Sequence, residues 1–346
     1  QTNTEDGVPF YKIGTIGSTP DAYISKELFD DYKVKYNYPR KGEVMITCAG
    51  TVGKCVVYDG EDAYFQDSNI VWIDNPTQYI SNGFLFHLLS KVDWRKLNST
   101  TIIRIYNDDL RNLKMSYPRK EEQQKISHLL SLLDERIATQ NKIIEDLKKL
   151  KSAIIEIEYS PKDSYHSHIG GAIVQISKRN KDNHLCNVLS VSNRQGFIKQ
   201  SEQFEDRNVA SDDTSNYKIV EKNDFAYNPA RINVGSIARL TKFETGIVSP
   251  MYICFRTKDC LLPEYLELFF ESRNFFYHIQ KRLEGSVRLC LSYEELCNIP
   301  IVIPSIEKQK QVDLHLSKLA QKIDLEMKIL QFVQQQKTYL LHQMFI

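Results

Sequence analysis

The sequence lacks the short motifs by which common catalytic sites are recognised. It has no GxxxxGK[ST] phosphate loop, no GxGxxG turn, no GxSxG elbow and no HExxH helix. Nucleotide-driven, nucleophilic and zinc-hydrolase chemistry therefore have no visible seat. The seven cysteines form no CxxC pair, and an odd, scattered set reads as buried thiols in a reducing cytoplasm rather than a disulfide frame or zinc site. His166 and His168 are the only close histidines, in a Ser-rich loop where solvated residues are the plainer reading than a metal site. No apolar run approaches the roughly 18–20 residues that cross a bilayer, and Gln1–Phe10 is polar and acidic, unlike a secretory signal. An excess of one charge is missing too: 45 Lys and Arg face 44 Asp and Glu, a formal net charge of +1. Nucleic-acid binding would have to rest on local patches or on a partner's charge. What remains is ordinary globular composition, 42% hydrophobic and 26% charged, over 346 residues. That length suits two or three domains of roughly 100–200 residues.

An internal duplication organises the chain. At an offset of 186 residues, Pro118–Ile155 aligns without a gap to Pro304–Leu341, with identities that include Pro118/Pro304, Gln123/Gln309 and Leu130/Leu316. Upstream, the same offset pairs Tyr79 with Tyr265, Phe84 with Phe270, Leu110 with Leu296 and Asn112 with Asn298. After a small gap Lys41-Gly-Glu-Val matches Lys222-Asn-Asp-Phe, and Ser68 falls opposite Ser249. The order is globular, helix, globular, helix, divided as 1–117, 118–160, 161–303 and 304–346. Residues 161–188 have no counterpart before Gln1. The expectation is a first globular part that lacks roughly one or two strands.

Each helical stretch carries a narrow apolar seam in alternating three- and four-residue steps. Ile126, Leu130, Leu133, Ile137, Ile144 and Leu147 form one; Val312, Leu316, Leu319, Ile323, Leu330 and Val333 form the other. This is coiled-coil patterning, broken at matching polar positions, Gln140/Glu326 and Lys151/Lys337. Those breaks read equally well as register devices and as partly solvated seam. Each stripe is most economically buried against the other.

The globular stretches carry short β-branched or aromatic runs between turn residues: Val44–Thr47, Lys54–Tyr58, Asn69–Ile73, Asp224–Tyr227, Gly235–Leu240 and Val248–Phe255. Phe84–Trp94 and Pro263–Glu284 read as closing helices. Asn228-Pro-Ala reads as a turn at a strand end. The fold class expected is α+β: two mainly-β domains separated by two long helices that form an antiparallel coiled coil.

The phrases Pro118-Arg-Lys-Glu-Glu-Gln-Gln-Lys-Ile and Pro304-Ser-Ile-Glu-Lys-Gln-Lys-Gln-Val, each after an α+β domain, resemble the specificity (S) subunits of type I restriction–modification systems. Val188-Leu-Ser-Val-Ser, Asn216-Tyr-Lys-Ile-Val, the stretch 224–238 and Gly7-Val-Pro-Phe-Tyr-Lys are further typical phrases. The resemblance implies a cytoplasmic, prokaryotic, non-catalytic subunit whose two target recognition domains each read one part of a split double-stranded DNA site. It implies partners as well: two methyltransferase (M) subunits, which hold S-adenosylmethionine, and restriction (R) subunits reached through the complex. No cofactor, metal or membrane is implied for this chain. Two other readings are the recognition part of a fused methyltransferase–endonuclease and an orphan protein-binding scaffold. A 38-residue helix would span about 57 Å at about 1.5 Å per residue, long enough to seat two readers one DNA turn, about 34–36 Å, apart.

Base edges are read by side chains with fixed donors and acceptors. In the second domain the candidates are Arg194, Arg231, Asn233 and Arg288; in the first, Thr51, Lys54, Gln66, Ser68, Arg104 and Tyr106. About half should approach DNA, and fewer should touch a base, because most such contacts go to phosphate. Tyr11, Tyr227 and Tyr252 read as core or rim rather than stacking platforms.

Overall fold

The computed structural model describes residues 7–65, 68–97, 104–160, 167–193, 195–200, 213–283 and 289–345. The chain divides into two units, 1–142 with 327–346, and 143–326. Among the described residues, no helix is long and apolar enough to cross a membrane.

The first unit contains β1 (Val8–Phe10), β2 (Ala22–Ile24), α1 (Lys26–Lys35), β3 (Val44–Thr47), β4 (Cys55–Val57), β5 (Ile70–Ile73), α2 (Asn82–Lys91), α3 (Asn107–Arg111) and the start of α4 (Lys120–Glu158). The second continues through α5 (Ile169–Ala172), β6 (Ile173–Ile176), β7 (Val188–Ser192), β8 (Gly196–Lys199), β9 (Lys218–Glu221), β10 (Phe225–Tyr227), β11 (Ile237–Arg239), β12 (Thr245–Val248) and β13 (Ile253–Thr257). It then closes with α6 (Pro263–Phe270), α7 (Arg273–Arg282), α8 (Tyr293–Cys297) and most of α9 (Ile306–Met344).

The duplication predicted from sequence is visible strand by strand. The antiparallel sheet β4-β3-β5 of the first unit repeats as β11-β10-β13 in the second, where β6 adds a fourth strand on the outer edge of β13. Along β5 lies instead a cavity of about 750 Å³ lined by residues that include Ile70, Trp72, Leu85, Leu89 and Leu110. The second sheet, β8-β7-β12-β9, pairs β7 with β12 in parallel. In the first unit Phe10 and Tyr64 make the corresponding parallel bridge.

A shared turn sets up the central strand of each unit. Gly42 and Asn223 both adopt positive φ, 87° and 72°, which glycine and asparagine tolerate best. The next residue is a buried acid in each case. Glu43 accepts from the Arg40 amide at 2.9 Å and Asp224 from the Glu221 amide at 2.7 Å. Asp224 also receives Arg256 at 2.6 Å, which neutralises a carboxylate with essentially no exposure.

The coiled-coil periodicity is realised: all twelve seam residues are buried or half-buried. The helices run antiparallel. In the first unit Ile126, Leu130 and Leu133 share a core with Leu340, Leu341 and Met344, and Lys337 pairs with Asp134. In the second, Ile154 and Ile155 share a core with Val312 and Leu316, and Lys308 lies 3.4 Å from Glu158. The polar seam residues Gln140 and Glu326 are buried, only 6% and 7% exposed, and Glu326 pairs with Lys322 at 2.5 Å. An aromatic at each helix end completes the pattern. Phe345 packs on Phe84 of α2 at 4.8 Å, and Tyr159 packs on Tyr265 of α6 at 4.9 Å.

Several sequence expectations are corrected. The equivalence of α2 and α6 is Phe84 with Tyr265, an offset of 181, because their N-caps are Ser81 and Leu262. Tyr79/Tyr265 and Phe84/Phe270 are therefore not structural partners. The extra five residues fall just after these helices, where the first unit has a single 3-10 turn, Trp94–Leu97, and the second has the whole of α7. Val248–Phe255 is two strands in two sheets, divided by the turn in which the Tyr252 amide donates to the Ser249 carbonyl at 3.1 Å. The helix expected over Pro263–Glu284 breaks at Ser272, whose hydroxyl caps α7 by accepting from the Phe275 amide at 3.2 Å. Finally, not every thiol is buried: all seven cysteines are free, and Cys186 and Cys260 are exposed.

Candidate nucleic-acid interface

In each unit the hairpin loop from the central strand to its edge neighbour, β10 to β11 or β3 to β4, is the meeting point of three chain segments. In the second unit this loop is Asn228–Ser236. The Asn228 side chain accepts from the Ala230 amide at 3.0 Å and turns the chain immediately after β10. A 3-10 turn, Ile232–Val234, buries Ile232 and ends on Gly235 at φ 87°. This arrangement leaves Arg231 exposed and Asn233 half-exposed. The Ser236 hydroxyl donates to the Val191 carbonyl at 3.2 Å, and a Cβ on Gly235 would stand 3.7 Å from that of Asn193. The loop is thereby tied to the β7–β8 hairpin. Its third neighbour is the segment at Leu291, whose amide donates to the Pro229 carbonyl at 3.1 Å.

The first unit repeats this construction. Its loop is Cys48–Lys54, held by the Thr47 hydroxyl, which donates to the Thr51 carbonyl and accepts from the Lys54 amide at 3.1 Å. Gly50 and Gly53 have φ of 67° and 83°. A Cβ at Gly50 would come 2.8 Å from Ile13 of the β1–β2 connection, and one at Gly53 would collide with Trp94. These glycines are required by close approach as well as by backbone conformation. The Ile105 amide donates to the Cys48 carbonyl at 2.9 Å, the counterpart of Leu291 on Pro229.

This geometry brings Thr51, Lys54, Arg104, Tyr106 and Ser68 around one loop. Ser68 is exposed beside Asn69, whose carbonyl accepts from the Cys48 amide at 2.7 Å. The Arg104 guanidinium lies 5.8 Å from the Tyr106 ring centre, and its charge partly offsets the upward push of burial on the Cys48 thiol. Lys54 is partly committed, since its ammonium donates to the Ile16 carbonyl at 2.5 Å. Arg231 and Asn233 share the equivalent loop of the second unit. Arg194, Gln66 and Arg288 lie outside the described residues. Tyr227 is fully buried, with its hydroxyl donating to the Leu291 carbonyl at 3.2 Å, and Tyr252 is buried as well. Tyr11 is half-buried and stacked on Phe65. Among the described residues no three His, Cys, Asp or Glu side chains converge as a metal site.

The residues that clamp the long helices to the globular parts were quoted in the sequence motif, but their role was not legible there. Gln123 is 1% exposed; its carbonyl accepts from the Ser81 amide at 2.8 Å, and its amide donates to Tyr79 and Pro118 at 3.0 and 2.9 Å. Gln309 is fully buried and makes the same three bonds to Leu262, Cys260 and Pro304, at 2.8, 3.0 and 2.9 Å. The motif glutamine is a clamp between each long helix and the N-terminus of α2 or α6.

Residues 1–149 match the family model of the type I restriction modification DNA specificity domain. The chain is also 48% identical over 147 residues to a putative type I restriction enzyme specificity subunit of Haemophilus influenzae. The first 149 residues of this chain are thus similar to the type I specificity family. The match spans 42% of this chain and 37% of that relative. Across its whole length the chain has the fold of a type I restriction–modification S subunit from M. genitalium, with a TM-score of 0.59 at 15% identity, covering 92% of that structure. A second solved chain, from work on complex assembly and conformational transition of the type I R-M system, gives a TM-score of 0.53 at 15% identity over 88% of this chain and 82% of that one. The likeness is thus one of sequence over residues 1–149 and one of fold over the whole chain.

Proposed function

We propose that this chain is the DNA recognition subunit of a type I restriction–modification complex. Each globular part reads one half of a split target, and the paired helices set the gap between the halves. The observation that carries this reading is the duplicated rim. In both units the same order of three antiparallel strands and the same backbone tie, Leu291 to Pro229 and Ile105 to Cys48, gather polar and cationic side chains at one rim, Arg231 and Asn233 in one case and Thr51, Arg104 and Tyr106 in the other. A chain with two similar readers calls for a target with two parts. Helices of 39 residues each span about 58 Å at about 1.5 Å per residue, enough for neighbouring turns of one DNA face.

Catalysis belongs to partners in this reading. Two M subunits bind S-adenosylmethionine, methylate adenine and dock on the chain, R subunits cleave, and the assembly works in the prokaryotic cytoplasm. Partner cations supply much of the phosphate neutralisation that a chain of net charge +1 cannot provide alone. The test is selection from random duplex DNA by the chain assembled with M subunits. The expected result is a motif of two specified blocks around an unspecified gap; a single uninterrupted block, or no enrichment, contradicts the proposal.

A further inference from the structure

The 186-residue offset extends to a pair of cations that lies outside the candidate set above. Trp94-Arg95-Lys96-Leu97 falls opposite Gln280-Lys281-Arg282-Leu283. The two segments differ in form, a 3-10 turn in the first unit and the end of α7 in the second. Their placement is nevertheless the same, because each leans on the central loop of its own recognition rim. The Trp94 ring occupies the space that a side chain at Gly53 would need, with its nearest atom 2.2 Å from that Cβ position. In the second unit α7 packs against the Ile232–Val234 turn that carries Asn233.

The two cations of each pair have different work. Arg282 is only 22% exposed and is spent on the fold: it faces Glu295 at 3.7 Å and donates to the His278 and Asn298 carbonyls, both at 3.3 Å. Lys281 is exposed, and its ammonium lies over the Tyr277 ring at 4.3 Å. Its counterpart Arg95 is exposed too, while Lys96 faces Asp93 at 3.7 Å. The residues of α7, Arg273 to Arg282, include no carboxylate, and neither does Trp94–Leu97. In a chain whose charges otherwise balance, an exposed cation repeated beside each recognition loop is the pattern that suits a polyanion. An exposed cation flanking a base-reading loop meets the sugar–phosphate backbone before it meets a base edge.

We propose that Arg95 and Lys281 are matched phosphate contacts, one per half-site, that position each recognition loop on the DNA without reading sequence. This rests on the DNA-recognition reading above. The experiment uses the full chain assembled with M subunits and compares wild type, Arg95→Gln, Lys281→Gln and the double variant on the selected site between 50 and 200 mM salt. Each lost phosphate contact lowers the slope of log K against log salt by about 0.9. The affinity ratio across that fourfold salt range therefore falls about 3.5-fold per single variant and about 12-fold in the double. The recognised motif stays the same in every case. Lys222→Gln, at the opposite end of β10 and paired with Glu244 at 2.5 Å, leaves the slope unchanged. The proposal is overturned by unchanged slopes in both single variants, by an equal effect of Lys222→Gln, or by a changed motif, which would mean base contact. A wild-type complex that selects no DNA would instead remove the recognition reading itself.

Discussion

Gln123 and Gln309 show how one residue type can be indispensable without touching a ligand. Each uses both amide N–H donors and its carbonyl, and each partner is a backbone group with no other helix bond to make. Replacing Gln309 by Leu keeps the volume but strands the Leu262 N–H and two carbonyls. At about 1–3 kcal/mol per buried orphan, the chain should lose about 3 kcal/mol or more in urea unfolding; a loss under about 0.5 kcal/mol would mean that water replaces the clamp. His87 gives a second test at this scale. It is 2% exposed on α2, and burial, together with the nearby Lys337 cation, lowers its pKa from 6.5 to about 4, against the opposing pull of Asp134 and of a ring N–H bond to the Ser127 backbone carbonyl. The native state holds His87 neutral while the unfolded chain takes up a proton below about 6.5. This contribution is therefore complete above pH 6.5 and lost as pH falls toward 4. At about 1.36 kcal/mol per pH unit, the stability difference between wild type and His87→Gln should shift by about 2 kcal/mol between pH 7 and 4.5. A pH-independent difference would assign the acid sensitivity to other groups.

At the scale of elements, the long helices were the most legible part of the sequence, because their pattern is local. A seam repeated over five turns identifies a buried face with no knowledge of what buries it, and Leu130 and Leu316 are indeed almost fully buried. A second apolar row, with Leu325 at 51% and Phe332 at 67%, stays exposed on α9. Leu316→Ala should cost about 2–5 kcal/mol, whereas Leu325→Ala should change stability by no more than about 0.5 kcal/mol. Equal effects in urea unfolding of the chain alone would mean that the seam has been read on the wrong face. The strands were harder to place. Val248–Phe255 is apolar throughout most of its length, so periodicity could not reveal that it leaves one sheet and enters another at Ser249–Tyr252. Tyr79/Tyr265 was misaligned because two tyrosines coincide at the helix offset, while the true correspondence is carried by caps and burial, which identity does not report. For the recognition rim, the loop that holds Arg231 and Asn233 was legible from its turn residues. Its convergence with the Leu291 and Asn193 segments depends on long-range backbone bonds and was not.

At the scale of the whole molecule the chain is modular: two similar units, each with its own core, its own glutamine clamp and its own rim. The central β-strands and recognition loop of the second unit, with the α6 and α7 that support them, fall between residues 161 and 303. The helix positions that clamp them, Gln309 and Val312, lie outside that range. A foreign domain inserted there would meet the same clamp and the same seam. The most direct measurement exchanges residues 161–303 for the second recognition domain of another specificity subunit and maps methylated adenines genome-wide, with M subunits supplied. The expected result is that one block of the motif is replaced, while the other block and the gap length are retained. If both blocks change together, or if the motif is unaltered, the two units do not read separate halves of the target.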